Sequence, residues 1–438
     1  MNDKLFLAGA AREDTTPEVG TLLYGYRPDL ASKSVHDPLS VTALAVSQNG
    51  QTALLLTAEI GDIQTALCDE LAGEISLHCG VDKRNILISS THTHTAPNLS
   101  GTVGWGDINR EYYEKIFLPS ALKASKNAVE NLTPAEIAVG VTESKVGINR
   151  RQQFEDGVIG LGQNPHGCYD PLMTVVSLRS VEDKKGILNL IHYGCHGTSA
   201  GLAEAVSRDW SGVMIDRLEH ETNTLTAFWN GAIGDVGPRL TNGETTGNLS
   251  YTRELGGVAA ADAVRAYKNK GGYHTGELGI FKDTTHLPYQ KMPTLEETNK
   301  KLERFENPET LINIDRLEYE HYSETKRFLE SGGGDIPEAF AFDQTIISLG
   351  DVVFIPFPFE MFSEIAVRLR EYSPYPYTLC LSCTNGYNVY LPSEDQLCRG
   401  GYEVGCFMYG SLFPLANNTD QNIIKENLRI IRKNRSEV

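Results

Sequence analysis

Two apolar runs, 41–46 and 52–57, flank an Asn49-Gly50 pair, and this arrangement constrains the fold more than any other stretch of the chain. Asn-Gly suits the positive backbone angles of a tight hairpin turn, so the runs predict adjacent antiparallel strands. Helical spacing follows over 62–79, and Asn85-Ile86-Leu87-Ile88-Ser89-Ser90 then reads as a buried, β-branched strand. A hairpin followed by a helix and a further strand points to the α/β class, with a mixed sheet and flanking helices.

The same reading extends along the chain. Strands are expected at 5–8, 136–139, 173–178, 187–191 and 225–229, and helices at 111–131, 209–220 and about 251–268. Pro119 marks a kink in the first of these helices, and Leu132-Thr133-Pro134 ends it. The polar, Gly-rich segment 147–170 reads as a long connection of the kind that is functional or mobile. Residues 294–332 are charged and helical in period, and are expected to form an exposed helical pair with a solvated face. Strands resume at 344–349 and 352–355, with a helix from about 360 to 372. No repeat or linker interrupts the pattern, so one domain over 1–438 with an insertion at about 294–332 is expected.

A net charge of -18 argues against nucleic acid as partner and gives no attraction to anionic membranes, leaving a small-molecule substrate. The opening 1–7 lacks a signal peptide's apolar core, and no later run is long enough to span a bilayer. A cytoplasmic protein without an integral membrane segment is the expectation; oligomeric state is not legible. Eight cysteines are sparse for 438 residues and fit reduced thiols. Cys380 and Cys383 form a CxxC followed by Cys398 and Cys406, but no second CxxC appears, which favours buried thiols over a zinc ribbon.

Four motifs follow predicted strands, the pattern expected if they meet at one site. Thr91-His92-Thr93-His94-Thr95-Ala96-Pro97 carries two histidines which, in extended chain, leave on the same face. They can bind a metal, or one can bind while the other moves protons; the plain alternative is a pair of loop histidines bonded to hydroxyls. His196 lies in Gly194-Cys195-His196-Gly197-Thr198-Ser199. Asn230-Gly231-Ala232-Ile233-Gly234-Asp235-Val236-Gly237-Pro238 can turn backbone N–H groups toward a ligand. Pro358-Phe359-Glu360 sets a carboxylate at a predicted helix start. Imidazoles with a carboxylate are the usual ligands of catalytic zinc. A rival is Gly197-Thr198-Ser199-Ala200-Gly201, which fits the nucleophile-elbow pattern, although Gly194-Cys195-His196 separates Ser199 from the strand.

In number and order these motifs resemble the neutral/alkaline ceramidases. Thr91-His92-Thr93-His94 with Pro97 resembles that family's zinc-binding histidine motif, and Gly147-Ile148-Asn149-Arg150 its Asn-Arg segment. His196-Gly197-Thr198-Ser199 is similar to its second zinc histidine, Pro358-Phe359-Glu360 to its zinc glutamate, and Asn385-Gly386-Tyr387-Asn388-Val389-Tyr390 to its zinc tyrosine. Tyr402-Glu403 and Tyr409-Gly410 stand at matching distances downstream. Gly9-Ala10-Ala11-Arg12-Glu13-Asp14-Thr15-Thr16 and Tyr24-Gly25-Tyr26 resemble the opening of its catalytic domain.

The resemblance implies that His92, His196, Glu360 and Tyr387 hold Zn2+, and that His94, Arg150 and Tyr409 contact the reacting carbonyl and its leaving group. Tyr402, Asn230 and Gly237 become candidate substrate contacts. Zinc with an open position polarises a carbonyl and brings the pKa of bound water toward about 7. Two departures stand out. Gly237 occupies the place of a family serine, and no counterpart of the family's C-terminal β-sandwich is expected within 1–438. The implied activity is hydrolysis of an N-acyl amide by zinc-activated water. The alternatives are cleavage of a polar lactone, ester or amide unrelated to ceramide, a serine hydrolase using Ser199, or a metal-binding homologue without turnover.

Overall fold

The computed structural model describes residues 5–102 and 105–435, so residues 1–4 of the opening run read for a leader lie outside the described residues. Eight strands form one sheet in the order Thr226–Asn230, Gly186–Tyr193, Leu172–Ser180, Thr133–Glu143, Phe6–Asp14, Ser40–Gln48, Gln51–Ala58 and Ile86–Ser90. The hairpin closes with Gln48 opposite Gln51, and Asn49 and Gly50 take φ of 52° and 77° as the turn requires. Parallel pairing enters twice. Gln51–Ala58 meets Ile86–Ser90 around helix Thr65–Cys79, and Gly186–Tyr193 meets Thr226–Asn230 around helix Asp209–Thr222. The sheet is therefore mixed, as its turn and periodicities imply.

A second sheet orders Leu278–Pro288, Ala339–Leu349, Val352–Pro356 and Tyr377–Leu381. Its first strand carries no clear signal in the sequence, because along its length only Phe281, Thr285 and Leu287 are buried. The sheets pack face to face, with Leu55, Leu87 and Trp229 against Val352, Phe354 and Leu379. Alternation decides the rest. Leu55 points into that layer, while Leu54 and Leu56 point to the opposite face, where Leu67, Leu71 and Ala121 of the helices cover them. Trp210, Met214 and Ala259 cover the other half of this face, and Ile365, Leu369 and Ile430 cover the second sheet. The layers run helix, sheet, sheet, helix, and double-sided burial explains why the strands read as unbroken apolar runs. Each fully buried leucine contributes about 1.5–3 kcal/mol.

The first sheet curls until its edges meet. Thr57 Oγ1 donates to Phe228 O at 2.6 Å, and the Arg12 guanidinium donates to Thr226 O. The two parallel pairs thus deliver their carboxyl ends to the same place. The second sheet is tied to this corner: Ser89 bridges Thr384, Ile88 N donates to Asn385 Oδ1, and Asn385 N donates to Ile88 O, both at 2.8 Å.

Three sequence expectations need correction. The 147–170 segment, read as a long functional or mobile loop, holds strands Gly147–Gln153 and Ile159–Asn164, the former paired also with Val236–Pro238. Its first strand is hard to read from sequence because it buries polar groups, Asn149, Arg150 and Arg151. The helix expected from 360 starts at Ser363, while Glu360–Met361 pairs in parallel with Tyr390–Leu391. The charged insertion, Leu295–Leu302 and Asn313–Glu330, has a buried face as well as a solvated one: Glu318, His321 and Thr325 pack inward. At Pro119 the helix answers with a π-turn at Tyr113–Phe117 rather than a break, which accommodates the missing N–H. Among the described residues, no helix is long and apolar enough to cross a membrane.

Candidate metal centre

His92 leaves the end of Ile86–Ser90 in a left-handed conformation, φ 62°, so the two histidines do not share an extended face as the spacing predicts. They converge through the turn instead, with Nε2 atoms 3.3 Å apart. Left-handed backbone at a histidine costs roughly 1–3 kcal/mol and persists only where the surroundings impose it. In this turn they do: His92 N donates to Ile60 O, and Thr93 forms a parallel bridge with Gly197. Only glycine fits at 197, since a Cβ would stand 2.7 Å from His92 O. That contact carries His196 to the same point, where its ring lies 4.7 Å from that of His92.

Each ring is oriented by a partner at Nδ1. His92 Nδ1 lies 3.2 Å from Asp62 Oδ1, His94 Nδ1 3.2 Å from Gly25 O, and His196 Nδ1 3.0 Å from Val236 O. A carbonyl or carboxylate oxygen can only accept, so Nδ1 carries the hydrogen in all three and each Nε2 presents a lone pair. The three histidines form one buried group with ligand atoms within 4.8 Å of one another. Glu360, wholly buried, aims Oε2 at His196 Nε2 from 2.9 Å and at His92 Nε2 from 3.7 Å. His196 Nε2 and both Glu360 oxygens have no hydrogen-bond partner. With neutral imidazoles the His196 Nε2 lone pair faces an unpaired Glu360 carboxylate in a dry pocket, an arrangement a cation satisfies, and the residues fit a divalent metal with nitrogen and oxygen ligands. Burial and the neighbouring imidazoles hold His94 well below the usual histidine range, and burial, then Arg150, does the same to His196. Burial also acts to lower His92, but the Asp62 and Glu360 carboxylates outweigh it and raise that group.

Around the cluster stand Asp62, which lies in no sequence motif, and Glu403, which stands in one but receives no role there. Asp62, just beyond strand Gln51–Ala58, accepts from Tyr24 Oη at 2.6 Å while holding His92. Asp62 and His92 also group with Cys383, whose Sγ lies 3.8 Å from His92 Nδ1. A carboxylate shortly past a strand end is the signal that points to it. Glu403 is buried between two cations: Oε1 accepts from Arg150 Nε at 2.8 Å and Oε2 from Arg151 Nη1 at 2.7 Å. Arg150 also donates to Tyr390 Oη at 3.0 Å. Burial opposes the charge on Arg150, yet Tyr390, Glu403 and Glu360 together keep it firmly protonated.

Other sequence candidates fall at varying distances from this centre. Burial, then the charges of Glu360 and Asp62, pushes the Tyr387 phenol up, and its main chain is tied to Thr65 Oγ1 at 3.0 Å. The Tyr402 ring packs on Tyr390 at 5.7 Å. Asn230 is spent on the scaffold, donating to Thr91 O at 2.8 Å and Cys195 O at 3.1 Å, so it joins the two histidine loops. Gly237 sits in strand Val236–Pro238, where a Cβ would meet Thr245 Cγ2 at 2.7 Å and Arg150 Cβ at 3.3 Å. Tyr409 is not brought to the histidines; its ring packs on His321 and Tyr322 at 5.7 and 6.0 Å. Ser199 is buried and hydrogen-bonded to Asp209 and to Thr252, with no imidazole bonded to its hydroxyl among the described residues. Cys380 and Cys383 are buried free thiols, whereas Cys398 is exposed.

Comparison with known proteins agrees with this architecture. A neutral ceramidase from Pseudomonas aeruginosa superposes with a TM-score of 0.72 at 17% identity, covering 98% of this chain and 74% of that one. A ceramidase complexed with C2 does so at 0.72 and 16%, covering 99% and 76%. At such identities the likeness is one of fold. No curated protein matches the sequence. The profile described as neutral/alkaline non-lysosomal ceramidase, N-terminal, matches residues 6–257, more than half of the 438. The chain belongs to the neutral/alkaline non-lysosomal ceramidase family.

Proposed function

We propose that the protein is a zinc-dependent hydrolase of N-acyl amide bonds. The observation that carries this reading is the buried group of His92, His94, His196 and Glu360, in which His196 Nε2 and both Glu360 oxygens have no hydrogen-bond partner. His92, His196 and Glu360 would hold the metal, with Tyr387 as the phenolic ligand and His94 beside them. Zinc bound there supplies a Lewis acid for the amide carbonyl and a lowered pKa for water.

The chain's own residues supply the rest. His94 Nε2, a lone pair set by the Nδ1 contact with Gly25 O, takes a proton from the attacking water and returns it to the departing nitrogen. Arg150 stabilises the oxyanion. Glu403 gives one carboxylate oxygen to each of two arginines, so one positive charge is left uncompensated by that group. Tyr402, against Tyr390, forms a wall for the substrate. Gly237 offers no nucleophile and Thr245 crowds its Cβ position, which supports direct attack by water over an acyl-enzyme.

Elemental analysis should find about one zinc per chain, and little in a His92→Ala/His196→Ala variant. Equal zinc in both would end the assignment. A panel of N-acyl amides, ceramide among them, with esters and lactones should show turnover that a chelator removes and zinc restores. Turnover that resists the chelator and yields to an active-site phosphonate would return the reaction to a serine.

A further inference from the structure

A cavity of about 570 Å³ lies between helices Asn313–Glu330 and Tyr402–Tyr409, and its lining includes none of His92, His94, His196 or Glu360. That volume is in the range of small-molecule sites. Ile314, Leu397, Val404 and Met408 make its walls apolar. Glu318 lines it too, and this side chain is 5% exposed, with Oε2 paired to Arg304 and Oε1 buried without a hydrogen-bond partner. The Tyr409 hydroxyl stands near enough for the Glu318 charge to act on it, yet Glu318 Oε1 makes no hydrogen bond, which is rare for a buried oxygen and calls for a donor.

We propose that this cavity binds a protonated amine bearing an apolar group. The ammonium sits on Glu318 Oε1 beside the Tyr409 ring, and the apolar part lies against Leu397 and Val404. Three features select this chemistry. An ammonium makes a charge-assisted hydrogen bond to a carboxylate, stronger than a neutral donor can make. An aromatic face attracts the same cation. Glu394 adds negative charge among the lining residues, which include no Lys, Arg or His, so the wall favours a cation over an anion. Tyr409, which the sequence resemblance ties to the reacting carbonyl, acts in this site instead. Helix Tyr402–Tyr409 joins the two places, since Glu403 on its first turn holds Arg150.

The test reads binding by the full-length protein and does not depend on any hydrolytic activity. Hexylamine at neutral pH should bind by calorimetry at least ten-fold more tightly than N-hexylacetamide or hexanoate. Glu318→Gln should weaken it at least ten-fold. Leu397→Trp, which fills the cavity and keeps Glu318, should block it, so the proposal stays testable if the first variant misfolds. Saturating amine should also slow alkylation of Cys398, an exposed residue of the lining, and leave the exposed Cys168 unaffected. Equal affinity for the acetamide, unchanged binding in Glu318→Gln and Leu397→Trp, or an unprotected Cys398 would overturn the assignment.

Discussion

On the side of the eight-strand sheet, every imidazole of the candidate centre has its Nδ1 engaged and its backbone pinned; on the side of the four-strand sheet, Glu360 has neither oxygen engaged. The histidine half is oriented by its own scaffold. The carboxylate half is held in place by the Glu360–Met361 pairing with Tyr390–Leu391, but its charge is answered only across the gap. The difference teaches that preorganisation and charge compensation are separate tasks, and that this fold divides them between its two sheets.

Glu360→Gln breaks the comparison hardest. It should abolish zinc retention, and in metal-free protein it should raise stability by about 1–3 kcal/mol, because an amide can donate to His196 Nε2 where the carboxylate cannot. His92→Ala should also lose zinc but should destabilise the metal-free protein, by stranding Asp62; thermal melts of both apo variants give the signs. If both fall, the carboxylate is not strained. Next, Arg150→Ala should lower kcat by roughly 10²–10³ with zinc retained, as steady-state kinetics and elemental analysis together would show. Unchanged turnover would remove Arg150 from the reaction. Asp62→Asn tests the contact that orients His92 together with its charge and should weaken zinc affinity by about 10–100-fold in a competition titration. The smallest effect is expected at Ser199→Ala, with kcat nearly unaltered and stability lower by about 1–3 kcal/mol through the lost bonds to Asp209 and Thr252. An acyl group trapped on Ser199 in an intact-mass measurement would reverse that expectation.

What can be read from the sequence follows the same line. The hairpin at Asn49-Gly50 and the two strand–helix–strand successions are local patterns, and each stands in the structure where its periodicity places it; the histidine and Glu360 motifs follow strands as read, but His92 turns left-handed and the helix begins only at Ser363. The curl that brings Thr57 to Phe228 is not local; it arises from the summed twist of eight strands, and no short stretch encodes it. Arg150 and Arg151 hide in a segment that looks like a loop, because a strand burying paired charges lacks the apolar alternation that announces strands. Asp62 escapes notice, and Glu403 is noticed beside Tyr402 but given no role, for a related reason: a carboxylate acquires meaning only from the cation or imidazole it meets, and those partners are distant in sequence. Tyr409 shows the converse, a motif residue turned by its helix toward His321 rather than the histidine cluster.

The Arg150–Glu403–Arg151 triad has a consequence for how a product departs. It sets a fixed positive point inside a molecule whose net charge is -18. A neutral amide approaches such a body without long-range bias. On the proposed reaction, the carboxylate left after cleavage would be held at short range by Arg150 and repelled at long range by the rest of the protein, so the outer field would favour escape and oppose return. Mobile ions shorten the reach of that field, to about 8 Å at physiological ionic strength, while a buried arginine is screened far less. Added salt should therefore slow product escape and strengthen inhibition by the free acid, the reverse of its usual effect on an arginine–carboxylate contact at a surface.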